Sequence, residues 1–370
     1  MRINAWWQYR RAVLSIVSVA LSLIATARSA RAQGEQTLSV TKIADSVYAA
    51  IYSEMKRDPV QSNSLIVITS DGVVVVDAQY TPFAARQVIA AIKKLTPLPV
   101  KYVITTHWHD DHIFGNQAYV EAYPGVQFVA HDSTAGYMHT QAKDHQVSLA
   151  NSYGAAVPRI KDRLATGKDG TGKQIPDSVM ADLRRRQPLI ADYAAEFKSV
   201  HLVYPTVTFN RALTLHLGER DIEVRNFGRG NTAGDVVIFL PKERIAAVGD
   251  LVVYPVPYIY GGYPTTWVSV MDSVRALGAT TLMPGHGPVM TDFTYFDTVS
   301  DLLKALIGQV KDCIAKGMSL EETKKAVNLD ALRTRILAGV PERDGTFQAS
   351  IMNAGIAATY NDLKGRPEGD

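Results

Sequence analysis

Three of the nine histidines and two aspartates fall within six consecutive residues, which read His107-Trp108-His109-Asp110-Asp111-His112. In extended backbone, residues two apart point to the same side, so His107 and His109 can bind one cation together. Asp111 and His112 face apart and can reach a second cation beside the first. Imidazole nitrogens and carboxylate oxygens are the ligands that zinc takes when no thiolate is available. The cluster therefore predicts a zinc site.

The elements that must position this cluster alternate between short apolar strands and helical patterns, which predicts an α/β fold. A predicted strand from Val100 to Thr105 ends directly before the cluster. Residues 140–200 break the rhythm because they are polar and rich in Lys and Arg, and they predict a helical insertion. From residue 292 to residue 370 the pattern predicts a C-terminal helical extension.

The cluster resembles the His-x-His-x-Asp-His signature of the metallo-β-lactamase superfamily, and three further landmarks follow that family's pattern. Val74-Val75-Val76-Asp77 resembles its early strand, Gly249-Asp250 follows a strand where members carry a metal ligand, and Pro284-Gly285-His286-Gly287 resembles its last histidine loop. The resemblance implies a four-layered αβ/βα sandwich over residues 33–291. It also implies a small-molecule substrate, Asp250 and His286 as further metal ligands, and a zinc-activated hydroxide that attacks a carbonyl carbon and that Asp111 orients.

One position departs from the family pattern. Asn231 stands in the loop Gly228-Arg229-Gly230-Asn231-Thr232 where the family usually has a histidine that completes the first metal site. An amide oxygen is a weaker zinc ligand than imidazole. We therefore expect one zinc bound tightly by Asp111, His112, Asp250 and His286. The second zinc, at His107 and His109 with help from a bridging Asp250 and from Asn231 directly or through water, is expected to be weak or absent, unless His131, His139 or His145 replaces the missing ligand.

Other residues are candidates for roles around the metals. Tyr258 and Tyr260 belong to a group of aromatic residues after Asp250, and together with Asn231 they either contact substrate or simply pack. Asp77, at the end of an apolar strand, is either a hydrogen-bond acceptor that orients a metal-bound histidine or an ordinary hydrogen-bonded strand end.

Three functions remain open from the sequence. A hydrolase that opens a β-lactam-like cyclic amide is favoured by the export signal that residues 1–32 resemble, because lactams directed at the cell wall act outside the cytoplasm. A lactone or thioester hydrolase is favoured by Asp250, since aspartate at that position resembles those members of the superfamily. A metal-dependent binding protein without catalysis is favoured by Asn231. No Gly-x-Gly-x-x-Gly opens a helix after a first strand, which argues against a hydride-transfer enzyme.

The amino terminus resembles an export signal. Residues 1–32 contain a basic start, an apolar run and the small-x-small site Ala30-Arg31-Ala32, which predict a signal peptide and a periplasmic or secreted protein. Five arginines and no acidic residue lie in this segment, so the chain's net charge of +3 becomes −2 without it. That charge argues against a nucleic-acid partner and against stable membrane association of the mature protein. The sequence leaves the oligomeric state open.

Overall fold

A computed structural model describes residues 37–53 and 60–366. The expected signal peptide, residues 1–32, lies outside the described residues. The described chain divides into two compact units. The smaller unit is the helical segment Gln146–Ser199, and the larger unit comprises Leu38–His145 together with the described residues from Val200 onward.

Seven strands form the first sheet of the larger unit, in the order β1-β2-β3-β4-β5-β6-β7. The strands β1 to β4 pair antiparallel, and β4 to β7 pair parallel. Their bounds are β1 Leu38–Ala44, β2 Val47–Tyr52, β3 Ser64–Thr69, β4 Gly72–Val76, β5 Val100–Ile104, β6 Gln127–His131 and β7 Val207–Phe209.

Five strands form the second sheet, in the order β12-β11-β10-β9-β8. Neighbouring strands are antiparallel except for β11 and β12, which are parallel. Their bounds are β8 Ala212–Leu217, β9 Arg220–Arg225, β10 Val237–Leu240, β11 Ile245–Val253 and β12 Thr281–His286.

Helices connect and cover the sheets. Before the second sheet they are α1 Pro82–Leu95, α2 Asp110–Ile113, α3 Asn116–Ala122, α4 Asp132–His139, α5 Gln141–Thr166 and α6 Asp177–Ser199. After the strand β11 they are α7 Pro264–Ala276, α8 Thr294–Ala315, α9 Leu320–Ala326, α10 Asp330–Leu337, α11 Asp344–Phe347 and α12 Ile356–Leu363. The segment Gln348–Gly355, between α11 and α12, is a π-helix.

The alternation of side chains along the strands explains the layers. In β4, Val74 and Val76 pack in the core between the two sheets, whereas Val73 and Val75 pack under α1. In β10, Ile238 points into the core between the sheets, while its neighbours on the strand face the core formed with α7 and α8. Helices therefore cover the outer face of each sheet, and the four-layered αβ/βα sandwich is confirmed.

Helices also occupy both regions where the sequence predicted them. The segment from residue 140 to residue 200 contains α5 and α6, and the segment after residue 292 contains α8 to α12 with the π-helix. Within the smaller unit, Tyr153, Tyr193 and Phe197 pack their rings against one another.

Among residues 37–53 and 60–366, no helix combines the length and apolar character needed to cross a membrane.

Candidate metal centre

Side chains that follow β5, lie within β11 and end β12 converge from the two sheets of the larger unit. His107, His109, Asp111 and His112 follow β5, partly in the short helix α2, while Asp250 lies in β11 and His286 ends β12. The structure brings together all six residues that were predicted as metal ligands. They form two groups of three.

The first ligand group is His107, His109 and Asp250, and the second ligand group is Asp111, His112 and His286. In each group, one ligand atom from every residue lies within 4.8 Å of the corresponding atoms of the other two. His107 and His112 are fully buried. Each group thus offers imidazole nitrogens and a carboxylate, the donor set that suits zinc.

Asp250 lies between the two groups and faces both. Its Oδ2 is 3.7 Å from Nε2 of His107, and its Oδ1 is 3.4 Å from Nε2 of His112. The same Oδ1 is 3.5 Å from Nε2 of His286. One carboxylate can therefore contribute an oxygen to each group, so the first group does not depend on its two histidines alone.

Asp77 orients a histidine in each group. Its Oδ2 accepts a hydrogen bond from Nδ1 of His112 at 2.8 Å and another from the hydroxyl of Thr106 at 2.8 Å. The Thr106 hydroxyl in turn lies 3.0 Å from Nδ1 of His107. Because Nδ1 is engaged in each case, both imidazoles turn Nε2 towards the shared pocket. Hydrogen-bond acceptors of this kind orient metal-binding histidines. The predicted acceptor contact of Asp77 is present.

The loop that carries His286 is held by the segment before β3. Nδ1 of His286 lies 3.1 Å from the carbonyl oxygen of Gln61, and Nδ2 of Asn63 donates to the carbonyls of Pro284 and Gly287 at 2.9 and 2.8 Å. Gly285 is required here because a Cβ at this position would overlap Oδ1 of Asp250. Sequence reasoning missed Gln61 and Asn63, and a backbone carbonyl leaves no signal in the residue type.

The pKa values of the histidines shift in opposite directions in the two groups. Burial lowers the pKa of His107 well below its ordinary value and lowers the pKa of His109 to about 4. Burial acts in the same direction on His112 and His286, but the facing carboxylates outweigh it and raise the pKa of both. Without metal, the first ligand group is therefore neutral at its histidines, and the second ligand group holds protons.

A divalent metal fits this donor set. Nε2 of His112 and Oδ1 of Asp250 are buried and have no hydrogen-bond partner among the described residues, although they face each other. A buried polar atom without a partner is costly unless something else satisfies it. A cation shared by these atoms would satisfy both.

Asn231 is buried, and its amide nitrogen has no hydrogen-bond partner among the described residues.

None of the three histidines considered as replacements joins a ligand group. His131 caps α4 by accepting from the backbone nitrogen of Ser133, and its Nε2 lies 2.7 Å from the carbonyl of Asn210. His139 stacks on Tyr204, and His145 lies 3.6 Å from Asp110.

The two tyrosines predicted to contact substrate lie side by side near the first ligand group. The rings of Tyr258 and Tyr260 are 4.6 Å apart, and the ring of Tyr258 is 6.2 Å from that of His109. Tyr258 is 43% exposed and Tyr260 is 47% exposed. They present an aromatic surface to solvent at one edge of the centre.

Comparison with known proteins identifies this arrangement. The family model described as the metallo-beta-lactamase superfamily matches residues 57–286. A linear primary-alkylsulfatase from Pseudomonas sp. (strain ATCC 19151) is 22% identical over 295 residues, which cover 76% of this chain and 52% of the relative. A metallo-beta-lactamase type 2 from Bacillus cereus is 23% identical over 277 residues, which cover 72% of this chain and 83% of the relative. The chain thus spans about half the length of the alkylsulfatase.

Solved structures share the fold. A metallo-beta-lactamase from Pontibacter korlensis superposes with a TM-score of 0.50 at 23% identity, covering 72% of this chain and 99% of that chain. A stereoselective inverting sec-alkylsulfatase from Pseudomonas sp. superposes with a TM-score of 0.55 at 19% identity, covering 79% of this chain and 45% of that chain.

Proposed function

The chain belongs to the metallo-β-lactamase superfamily of hydrolases, and we propose that it uses zinc to hydrolyse a small carbonyl substrate, a β-lactam-like cyclic amide. The observation that carries this proposal is the convergence of two ligand groups on Asp250, where Nε2 of His112 and Oδ1 of Asp250 are buried without a hydrogen-bond partner among the described residues. Asp111, His112, Asp250 and His286 hold the tightly bound zinc, and His107 and His109 hold a weaker one.

When bound, the metal supplies an acidified water and a Lewis acid beside it. The residues of the chain do the rest. Asp111 is partly exposed at the pocket, with its Oδ2 2.9 Å from Nε2 of His286, so its carboxylate can orient the attacking water. Asp250 and His107 are buried, which keeps bulk water away from the centre and strengthens the field of the Asp250 charge.

Three side chains contact the substrate in this proposal. The amide nitrogen of Asn231, which has no hydrogen-bond partner among the described residues, donates to the carbonyl oxygen, and this bond offsets the cost of its burial. Tyr258 and Tyr260, with rings tilted by 35° to each other, provide an aromatic surface against which a compact ring can lie. A cyclic amide offers both features, a carbonyl and a compact ring.

A second candidate substrate class is an alkyl sulfate ester. It is favoured by the alkylsulfatase relative, which matches 76% of this chain. The tyrosine surface suits an alkyl chain as well as a ring, because the hydrophobic effect does not depend on shape. Lactone and thioester hydrolysis remain alternatives on the same centre, and a non-catalytic binding protein remains the alternative of another class.

The proposed location is the periplasm or the exterior of the cell, with a mature chain that begins at Gln33. The support is the basic start, apolar run and Ala30-Arg31-Ala32 site of the first 32 residues. Intact mass of the exported protein tests this. A mass that starts near Met1, or protein found only in the cytosol, would contradict it.

The function is tested with zinc-loaded mature protein and a panel of a cephem, a lactone, an aryl thioester and a medium-chain alkyl sulfate. We expect turnover of the cephem that disappears after chelation and returns with zinc. A metal-free, chelated sample with full activity would overturn the mechanism. Preferential turnover of the alkyl sulfate would move the assignment to the second class, and tight binding of a panel compound without turnover would indicate the binding protein.

A further inference from the structure

The loop that carries the tyrosine surface is held from outside the two sheets, by the C-terminal helical extension. Ser350 lies in the π-helix Gln348–Gly355 and is fully buried. Its hydroxyl donates to the carbonyl of Pro257 at 2.6 Å and accepts from the backbone nitrogen of Ile259 at 3.0 Å. One side chain therefore ties down the residues on both sides of Tyr258.

The packing around Ser350 is close. Ile259 is buried in the same apolar core as Ile351 and Ile356 of the extension. A Cβ at Gly355 would crowd the carbonyl oxygen of Ser350 at 3.1 Å and would meet the Cβ of Ile259 at the ordinary contact distance of 3.5 Å, so the π-helix packs directly against the loop here. A π-helical stretch is rare and often accompanies a functional site, since it changes which side chains a helix presents.

Two further contacts hold the ends of the loop. Nη2 of Arg343 donates to the hydroxyl of Tyr254 at 3.1 Å, with its guanidinium over the ring. At the other end, Asp362 accepts from the backbone nitrogen and the hydroxyl of Thr265, at 2.9 and 2.6 Å. These contacts fix where the loop starts and ends, whereas Ser350 fixes the residues that flank Tyr258.

We propose that Ser350 is a positioning residue that holds Tyr258 against the first ligand group, and that the C-terminal extension thereby determines which substrates the centre accepts. The selected substrates carry an apolar or planar group next to the bond that is cleaved, because that group lies against the tyrosine ring. This inference rests on the proposed function for its substrate class. The position of Tyr258 can be measured without turnover.

The position is tested first, in metal-free protein. Ser350→Ala removes the hydroxyl, Ser350→Thr keeps it, and Thr359→Val is the matched control. Thr359 is also fully buried in the extension, but its hydroxyl donates within the extension, to the carbonyl of Gly355 at 2.7 Å. Loss of the bond from Ile259 should speed hydrogen exchange of the Ile259 amide by about tenfold in Ser350→Ala.

A fluorine probe follows the ring itself. In protein labelled with 3-fluorotyrosine, the resonance of Tyr258 is assigned by its loss in Tyr258→Phe. We expect it to shift and broaden in Ser350→Ala and to stay unchanged in Thr359→Val. Unchanged exchange at Ile259 and an unchanged fluorine resonance in Ser350→Ala would overturn the inference, whatever the enzyme hydrolyses.

Kinetics test the link to substrate. Ser350→Ala should raise KM by about tenfold for a substrate with a large apolar group, with kcat and zinc content unchanged, and Ser350→Thr should restore it. In a Tyr258→Ala background, Ser350→Ala should have no further effect on KM, because it acts through that ring. Effects that multiply would contradict the inference, as would an equal fall in kcat for every substrate. If no panel substrate is turned over, the proposed function fails, while exchange and fluorine spectra still decide the role of Ser350.

Discussion

The two ligand groups use similar residue types but are built differently. In the second group, His112 and His286 each have Nδ1 engaged, by the buried carboxylate of Asp77 and by the carbonyl of Gln61. In the first group, Nδ1 of His107 faces the hydroxyl of Thr106, whereas Nδ1 of His109 lies 3.0 Å from Nε2 of His107, which is a ligand of the same group and not a residue behind it. The second group is therefore preorganised for a metal, and the first can adjust.

The two groups differ in the number of their donors as well as in their support. With the oxygens that Asp250 offers to both, the second group has four donors and the first has three. The support behind each donor and the charge around it separate them further, because a fixed ligand loses less freedom when the metal binds. The resemblance predicts that Asn231 stands where the family has a histidine, in the less supported group.

The largest effect is expected from removing a ligand of the second group. His112→Ala should lower zinc content from about one per chain to near zero and reduce activity by more than about a hundredfold, because it removes a buried, preorganised ligand. His109→Ala should keep most of the tightly bound zinc. Metal analysis after gel filtration checks both variants. If both variants lost zinc equally, the asymmetry between the groups would be disproved.

The next largest effect is expected from adding a ligand to the first group. Asn231→His should raise zinc content from about one towards about two per chain, since an imidazole returns to the first group. Titration at limiting zinc measures the stoichiometry. The enzyme interpretation predicts that wild-type turnover changes modestly, and the binding-protein interpretation predicts that hydrolysis rises from near zero. Two tightly bound zincs in the unmutated protein would mean that Asp250 alone compensates for Asn231.

A smaller effect is expected from changing Asp77, which orients a histidine in each group. Asp77→Asn should weaken zinc binding by about 10–100-fold, because it removes the charge that orients His112 and, through Thr106, His107. Asp221→Asn is the matched control, since Asp221 pairs with the exposed His216 at 2.7 Å, away from the centre. Competition with a chelating dye gives the affinities. Equal losses in the two variants would show that Asp77 has no special role.

The smallest effect is on the pH dependence of the free energy of unfolding. The histidines of the two groups contribute to it with opposite signs. His109 has a pKa of about 4 in the folded, metal-free protein. The unfolded chain takes up its proton near pH 6.5, so the free energy of unfolding falls as the pH drops from about 6.5 to 4. The raised pKa of His112 does the reverse, and its contribution is lost as the pH rises through the raised value.

Urea unfolding of chelated protein at a series of pH values measures these contributions. His109→Gln should flatten the fall between pH 6.5 and 4, as only a neutral side chain is then present. An unchanged slope in that variant would assign the fall to His107 or to groups elsewhere. Zinc affinity should rise with pH in the second group, because the metal must displace the protons of its histidines.

Much of this centre could be predicted from the sequence, because its signal is local. The spacing of His107 to His112 after a buried strand indicated metal chemistry, and the fold and family that followed from the resemblance are confirmed. The run of four valines before Asp77 predicted an apolar strand, and β4 is one. The assignment of individual ligands and of Tyr258 and Tyr260 to substrate stays a prediction.

What the sequence did not reveal depends on contacts between distant residues. The hairpin of β1 and β2 was not predicted, because the half-exposed edge strand β1 lacks a clear apolar run. The resemblance implied that Asp250 bridges the two sites, but the distances from its oxygens to each group depend on how β11 lies against the turn after β5. Ser350 is 93 residues from the loop it holds, and a lone serine in a helical pattern carries no signal.

The distribution of the ligands along the chain sets the order in which the centre is completed during synthesis. His112 leaves the ribosome about 170 residues before His286, an interval of roughly 10 to 30 seconds at ordinary rates of translation. During that interval the second ligand group lacks His286, and Asp250 emerges only about 36 residues before the interval ends. The carbonyls of Pro284 and Gly287, to which Asn63 donates, emerge together with His286. A complete second ligand group is therefore a late feature of the growing chain, and a metal that needs all of its donors binds only after about three quarters of the chain has been made.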